Sequence, residues 1–175
     1  MRRLVSASML VLLTACTAQT SSLPLPDSGL TREERLAIRF DGADVTAAGL
    51  ATQTIGRTIR EADVQRAVTT AAARSLSWNA GTRDAVVRLT VTRVEIARPD
   101  AVPLPGALSL MEGEVALFDA ATGMQIGATV PLSVNGEGWR IDGLQGEALA
   151  RERRLELTRL AFQFTAVARR ALLGG

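Results

Sequence analysis

The chain has 175 residues, of which 20 are basic and 18 acidic, and its formal net charge is +2. Every basic residue is an arginine, and histidine, lysine and tyrosine are absent, so the side chain that most often serves as acid–base group and metal ligand is missing. The single cysteine excludes an internal disulfide framework, and the length suits one domain with a short extension.

The N-terminus has the pattern of a secretory signal. Arg2 and Arg3 precede an apolar run from Leu4 to Leu13, and small residues follow that run. The run is well short of the roughly 20 residues that span a bilayer, which favours a segment removed after export. Its removal leaves equal numbers of basic and acidic residues. The basic isoelectric point of the full chain therefore does not indicate nucleic-acid binding.

The end of this segment, Leu13-Thr14-Ala15-Cys16, resembles the lipobox of bacterial lipoproteins. The resemblance implies that the Cys16 thiol takes a diacylglycerol, that signal peptidase II cuts before Cys16, and that the new amine is acylated. Small residues at Thr14 and Ala15 let a protease reach an extended backbone, and a thiol is readily alkylated. In that family an aspartate after the cysteine marks retention at the inner membrane, so with Thr17 at this position the resemblance implies sorting to the outer membrane. The alternative, an ordinary buried thiol, is disfavoured by the position directly after the apolar run.

Three segments follow from this interpretation. Residues 1–15 are a cleaved signal peptide, residues 16–30 a lipidated N-terminus with a flexible tether, and residues 31–175 a single domain. Residues 17–29 are polar, contain prolines and have no helical or strand periodicity. Docking of Leu23 and Leu25 on the domain as an extended strap is left open.

Hydrophobic periodicity predicts six elements in the order β-α-β-β-β-α. They are a strand over 35–40, a helix over 58–76, strands over 85–96, 113–119 and 124–130, and a helix over 147–173. Thr58 and Glu61 have the spacing of a capping box. The apolar alternation of the strand over 85–96 changes phase after Val91, which predicts a bulge near Thr92. The first strand could continue past an irregularity at 41–42 to Val45, and residues 131–146 are assigned to a loop. The fold class is α+β, with about four mainly antiparallel strands and two helices on one face.

The body resembles small proteobacterial envelope lipoproteins, a group that includes auxiliary lipoproteins of ABC transporters and the assembly lipoprotein of lipopolysaccharide export. The lipobox, the order of elements and the hairpin over 115–123 carry this resemblance. An uncharacterised family of alphaproteobacteria fits best. The resemblance implies an envelope location and carries over no catalytic or ligand-binding motif.

Residue types that perform catalysis are poorly supplied. Serine and threonine have no histidine or lysine as a base. Two carboxylate pairs could act together, Asp41 with Asp44 and Glu112 with Glu114, but a turn and a solvated strand face explain them more simply. No calcium-loop spacing or glycine-rich phosphate loop is present. We therefore expect no enzymatic activity, no metal and no cofactor.

The arginines of the last helix could contact phosphates, although pairing with Glu147 and Glu156 on the helix surface is favoured.

Two apolar loops are the candidate contact surfaces. One carries Val102, Leu104 and Leu108, and the other carries Trp139 beside Arg140. Exposed apolar loops often bind partners, and Trp and Arg are enriched in binding hot spots. The competing interpretation is that both loops fold back to cover the open face of the sheet, with Trp139 as a plug.

The sequence thus predicts a lipid-anchored, non-enzymatic binding or assembly module at the periplasmic face of the outer membrane. Its expected partners are the membrane, through the lipid, and another envelope protein or an apolar ligand, but not nucleic acid. A carrier of an apolar or lipid ligand is the alternative, and it requires an apolar cavity lined by Leu155, Phe162 and Leu132. An envelope hydrolase is a third alternative and requires a polar cleft with converging carboxylates.

Overall fold

Three helices and five strands make up the part of the chain that the structure, a computed structural model, describes. That part covers residues 27–47, 49–52, 59–77, 80–96, 109–136 and 147–174. In chain order, the elements are α1 (Arg32–Ala37), β1 (Ile38–Thr46), β2 (Ala51–Thr52), α2 (Glu61–Ser75), β3 (Arg83–Glu95), β4 (Ser109–Asp119), β5 (Gln125–Gly136) and α3 (Glu147–Leu173).

The sheet has the strand order β1-β3-β4-β5, and the short β2 also pairs with β3. The β3-β4-β5 part is antiparallel, as predicted, whereas β1 and β2 run parallel to β3. The sheet is therefore mixed. The parallel pair follows from α2, because a helix between neighbouring strands returns the chain to the same end of the sheet.

Helix α1 replaces the beginning of the predicted first strand. Thr31 accepts a hydrogen bond from the amide of Glu34, and the Glu34 carboxylate accepts one from the amide of Thr31, which closes a capping box. The strand predicted over 35–40 therefore begins only at Ile38. Leu36 lies on α1 instead, where its side chain is exposed. The strand does continue to Thr46, with the predicted irregularity between Phe40 and Gly42.

Helix α2 begins later than predicted. Its N-cap is Arg60, and Glu61 is its first residue, so Glu61 is not at the position where a Thr58 capping box would place it. The Glu61 carboxylate instead accepts a hydrogen bond from the amide of Gly49. Thr58 itself lies outside the described residues. The predicted apolar stripe of α2 is confirmed, since Val64 and Val68 are fully buried.

The phase change predicted in β3 is confirmed. The register with β4 shifts between Val91 and Arg93, and buried residues continue on the same side with Val94 and Ile96. A one-residue bulge moves every following side chain to the other face, so both halves of the strand supply the core.

The predicted hairpin between β4 and β5 is also present, but β5 is longer than expected. Residues 131–136, assigned to a loop, extend the strand, and Leu132 and Val134 are buried. Pro131 is tolerated because β5 is an edge strand. Within the predicted strand over 124–130, Met124 and Ala128 are exposed, since Met124 precedes β5 and the β4–β5 register shifts near Ala128.

Asp119 organises the hairpin turn. Its carboxylate accepts hydrogen bonds from Arg83 Nε at 2.8 Å, from the amide and hydroxyl of Thr122, and from the amide of Ala121. The Arg83 bond, followed by those from Thr122, lowers the pKa of Asp119 from about 3.8 to about 2. Because the folded state favours the carboxylate, this contribution to stability is complete above the unfolded pKa and is lost as the pH falls through about 2.

We expect Asp119→Asn to lower the melting temperature by a few degrees at neutral pH. The wild type should also lose more stability than the variant when the pH falls from 4 to 2, since only the wild type has this carboxylate to protonate. Thermal unfolding followed by circular dichroism across that range measures both effects. Asp44→Asn, on an exposed part of β1, is the matched control. Equal acid sensitivity of Asp119→Asn and wild type would contradict the prediction.

The core lies between the sheet and the two long helices. Helix α2 packs on β1 and α3, and α3 packs on β4 and β5. Among the described residues, Phe164 of α3 is the bulkiest fully buried side chain, and it lies against Gly113 of β4, where an added Cβ would come within 3.0 Å of the Phe164 ring. Helix α3 ends as predicted at Leu173, and Gly174 caps it in the left-handed conformation with φ +76°.

Candidate functional site

The residues predicted to matter most for function lie outside the described part of the chain. This holds for the predicted lipidation sequence (Leu13, Thr14, Ala15 and Cys16) and for the predicted contact residues of the two loops (Val102, Leu104, Leu108, Trp139 and Arg140). The structure does describe the strand and helix ends from which these segments start.

Both candidate loops are attached at the same end of the sheet. The first connects the end of β3 with the start of β4, where Glu95 pairs with Leu110. The second connects the end of β5 with the start of α3, and the final residue of β5, Gly136, pairs with Ser109. We call this the loop end. Two segments distant in sequence therefore leave the fold side by side.

Charged side chains near the loop end are paired with each other. Arg93 forms ion pairs with Glu95 and with Glu112, the latter at 3.4 Å, and the bond to Glu95 raises the pKa of Arg93. On α3, Arg159 pairs with Glu156 at 3.0 Å, as the spacing predicted. These carboxylates thus have structural partners.

The two carboxylate pairs considered for catalysis occupy strands. Glu112 and Glu114 lie on one face of β4, as expected, and Glu112 is held by Arg93. Asp41 and Asp44 lie on β1, and the predicted turn there is an irregularity within the strand. Among the described residues, no group of three or more His, Cys, Asp or Glu side chains could hold a metal ion.

The chain enters the domain at the opposite end, which we call the tether end. The amide of Ser28 donates to the carbonyl of Ala171 at 3.3 Å, and the carbonyl of Ser28 accepts from the amide of Ala128 at 2.9 Å. Ser28 and Leu30 are buried. The packed domain therefore includes residues 28–30, which the sequence placed in the tether.

A cleft of about 440 Å³ opens at the tether end between α1 and the last turn of α3. It is lined by three leucines, three arginines and a glycine: Leu30, Leu36, Leu173, Arg32, Arg35, Arg169 and Gly174. The cleft was not predicted from the sequence, because α1 was not predicted. The signal that could have revealed it is the Thr31-Arg32-Glu33-Glu34 sequence, which has capping-box spacing.

The arginines of the cleft differ in their surroundings. Arg35 forms an ion pair with Asp27, lies against Gly174, and has its Nε buried without a hydrogen-bond partner in the described structure. Arg32 is exposed. Leu36, one turn further along α1, keeps 59% of its surface exposed. The cleft thus combines guanidinium groups with accessible apolar surface.

The apolar cavity that a ligand carrier would require is not found where the sequence placed it. Leu155 is 63% exposed on the surface of α3, and Leu132 is buried in the packed core. Phe162 packs against the edge of the core, and the guanidinium of Arg74 lies 6.0 Å from its ring. These three side chains therefore do not enclose a ligand site.

The fold defined by these elements is α+β, with two long helices on one face of a mixed sheet. No helix among the described residues is long and apolar enough to cross a membrane.

Comparisons with known proteins give only distant structural similarity. No family model and no curated protein sequence matches the chain. A candidate lipoprotein from Caulobacter crescentus is 16% identical over 77% of this chain and 85% of its own, with a TM-score of 0.37. The PelC dodecamer from Paraburkholderia phytofirmans is 13% identical over 79% and 89%, with a TM-score of 0.38. A DUF330 protein from Xanthomonas campestris is 15% identical over 73% and 82%, with a TM-score of 0.41. This similarity is too distant to transfer function or assembly to this chain.

Proposed function

We propose that the protein is a lipid-anchored, non-enzymatic envelope protein whose loop end binds or helps to assemble another envelope component. The anchor is the lipid on Cys16, and the location is the periplasmic face of the outer membrane. Leu13–Cys16 and the preceding apolar run support the anchor. Two or three acyl chains hold a protein stably at a membrane, whereas a single chain binds only reversibly.

One observation carries the binding role: both apolar loops leave the fold at the loop end, opposite the tether end. Helix α3 has 27 residues and runs between the two ends, a span of about 40 Å. In a protein held at its tether end, the points where the two loops join the fold therefore lie at the opposite end from the point where the tether enters. Because the two loops join the fold at neighbouring strand ends, a partner bound at the loop end can contact both segments at once.

The paired carboxylates support the non-enzymatic part of the proposal. Arg93 engages Glu95 and Glu112, and Arg159 engages Glu156, so each of these three carboxylates has a structural partner. The chain also lacks the histidine and lysine that usually activate a nucleophile.

Site-specific photo-crosslinking in cells tests the proposed function. We expect a photoreactive residue at Leu104 or Trp139 of the full chain to give a discrete adduct, which mass spectrometry identifies as an envelope protein. The matched control is Met124, a 69% exposed residue of the hairpin turn at the tether end, which should not give that adduct. Identical adducts from Leu104 and Met124, or adducts with lipid alone at Leu104 and Trp139, would contradict the proposal.

A further inference from the structure

We infer that the cleft between α1 and the end of α3 is a membrane-docking surface that binds anionic phospholipid headgroups. The inference rests on the proposed lipid anchor at Cys16. It adds an orientation to the proposed function: the tether end lies on the bilayer and the loop end points away from it.

The position of the cleft relative to the anchor is the first support. Only ten residues, 17–26, separate Cys16 from Asp27, and Asp27 forms an ion pair with Arg35 of the cleft. Fully extended, a connection of this length reaches less than about 40 Å. The anchor therefore keeps the cleft close to the membrane, where even a weak surface contact is favoured by the high effective concentration.

The chemistry of the lining is the second support. Arginine binds phosphate through a planar set of donors, and an exposed leucine beside it can insert into the headgroup boundary. Arg32 and Leu36 supply this combination on one short helix, with Leu173 next to them in the same cleft. Exposed apolar surface beside cationic groups is the pattern of membrane-surface contacts.

A purely structural role accounts for only part of this arrangement. Arg35 contacts the C-terminal cap of α3, where a cation offsets the negative end of the helix dipole. Arg32 and Leu36 are exposed and have no such role in the fold. Acidic groups are also present on α1, but the Glu34 carboxylate is bound by the amide and hydroxyl of Thr31. Glu33 remains as an exposed acidic neighbour.

Environment-sensitive fluorescence on the lipidated full-length protein tests the inference. Lipidation consumes the Cys16 thiol, so one introduced cysteine can be labelled with the fluorophore NBD, either Leu36→Cys or the control Leu155→Cys. Both leucines are exposed to a similar degree, and Leu155 precedes Leu173 by about 27 Å along α3. The protein is reconstituted in vesicles of phosphatidylethanolamine with phosphatidylglycerol, or of phosphatidylcholine alone.

We expect the label at residue 36 to shift to the blue and to be quenched by a headgroup spin label in the anionic vesicles. The label at residue 155 should report water in both. Arg32→Gln should lower the docking equilibrium constant about fivefold, as high salt should also do, whereas Arg154→Gln, beside the control position 155, should have no effect.

A water-exposed label at residue 36 in anionic vesicles would overturn the inference, as would protection of that label only after another envelope protein is added. Flotation of the protein with the vesicles reports the lipid anchor separately. A protein that floats without protection of residue 36 keeps the proposed function and loses the docking surface. A protein that does not float contradicts the anchor and the docking surface together.

Discussion

Replacing Cys16 with serine should abolish acylation and leave the signal peptide attached. A hydroxyl is a far weaker nucleophile than a thiolate, so the variant cannot take the diacylglycerol that resemblance to the lipobox implies. Metabolic labelling with palmitate should fall to background, and the chain should stay larger by residues 1–15. Gel mobility and incorporated label measure the two effects in the same cells.

The matched control for this change is Thr14→Ser, which keeps a small residue in the same sequence. It should remain labelled and cleaved to the wild-type size. Palmitate incorporation into the Cys16→Ser variant, or cleavage of that variant at its normal position, would contradict the assignment of Leu13–Cys16 as a lipobox.

Phe164→Ala should cost about 3–5 kcal/mol of unfolding free energy, the usual range for removing a buried phenylalanine ring. Phe164 is fully buried and contacts β4 at Gly113, so its removal opens a cavity in the middle of the helix–sheet interface. The total free energy of unfolding of a small domain is about 5–15 kcal/mol, so this change alone is large enough to unfold part of the population at 37 °C. Denaturant unfolding of the purified protein measures the loss.

Phe162→Ala is the control for this prediction. Phe162 lies two residues away on the same helix, but it is only partly buried and faces Arg74. Its removal should cost clearly less than the removal of Phe164. Equal losses for the two variants would contradict the deeper burial of Phe164 in the helix–sheet interface. If Phe164→Ala does not fold, Phe164→Leu should show a smaller loss in the same direction.

Elements with a strong local pattern were predictable from the sequence. The change of phase after Val91 indicated the bulge in β3, because alternation has a fixed period of two and an extra residue is needed to restore it. Helix α3 was predicted from its long apolar stripe and from Gly174, which adopts the positive φ of a C-cap.

Elements set by tertiary contacts or by competing local signals were not predicted correctly. Leu36 and Ile38 alternate like strand residues, but the capping box of Thr31 and Glu34 starts a helix before them. Residues 131–136 were assigned to a loop, yet they continue β5, and Pro131 is tolerated there because one side of an edge strand has no neighbouring strand. The direction of β1 relative to β3 depends on how α2 crosses the sheet, which no short pattern encodes.

The candidate site shows the same division. The sequence identified the two apolar loops by composition, but only the pairing of Ser109 with Gly136 and of Glu95 with Leu110 shows that they share one end of the sheet. The cleft at the tether end joins α1 to the last turn of α3, residues separated by most of the chain. Its arginines are unremarkable in sequence, because arginine is the only basic residue that this chain uses.

The intact mass of the wild-type protein extracted from its native membranes tests the central claim most directly. We expect a chain that begins at Cys16 and carries the added mass of a diacylglycerol, with or without a third acyl chain on the amine. A chain that begins at any other residue, or that has an unmodified Cys16 thiol, would contradict the lipid anchor and the membrane orientation derived from it.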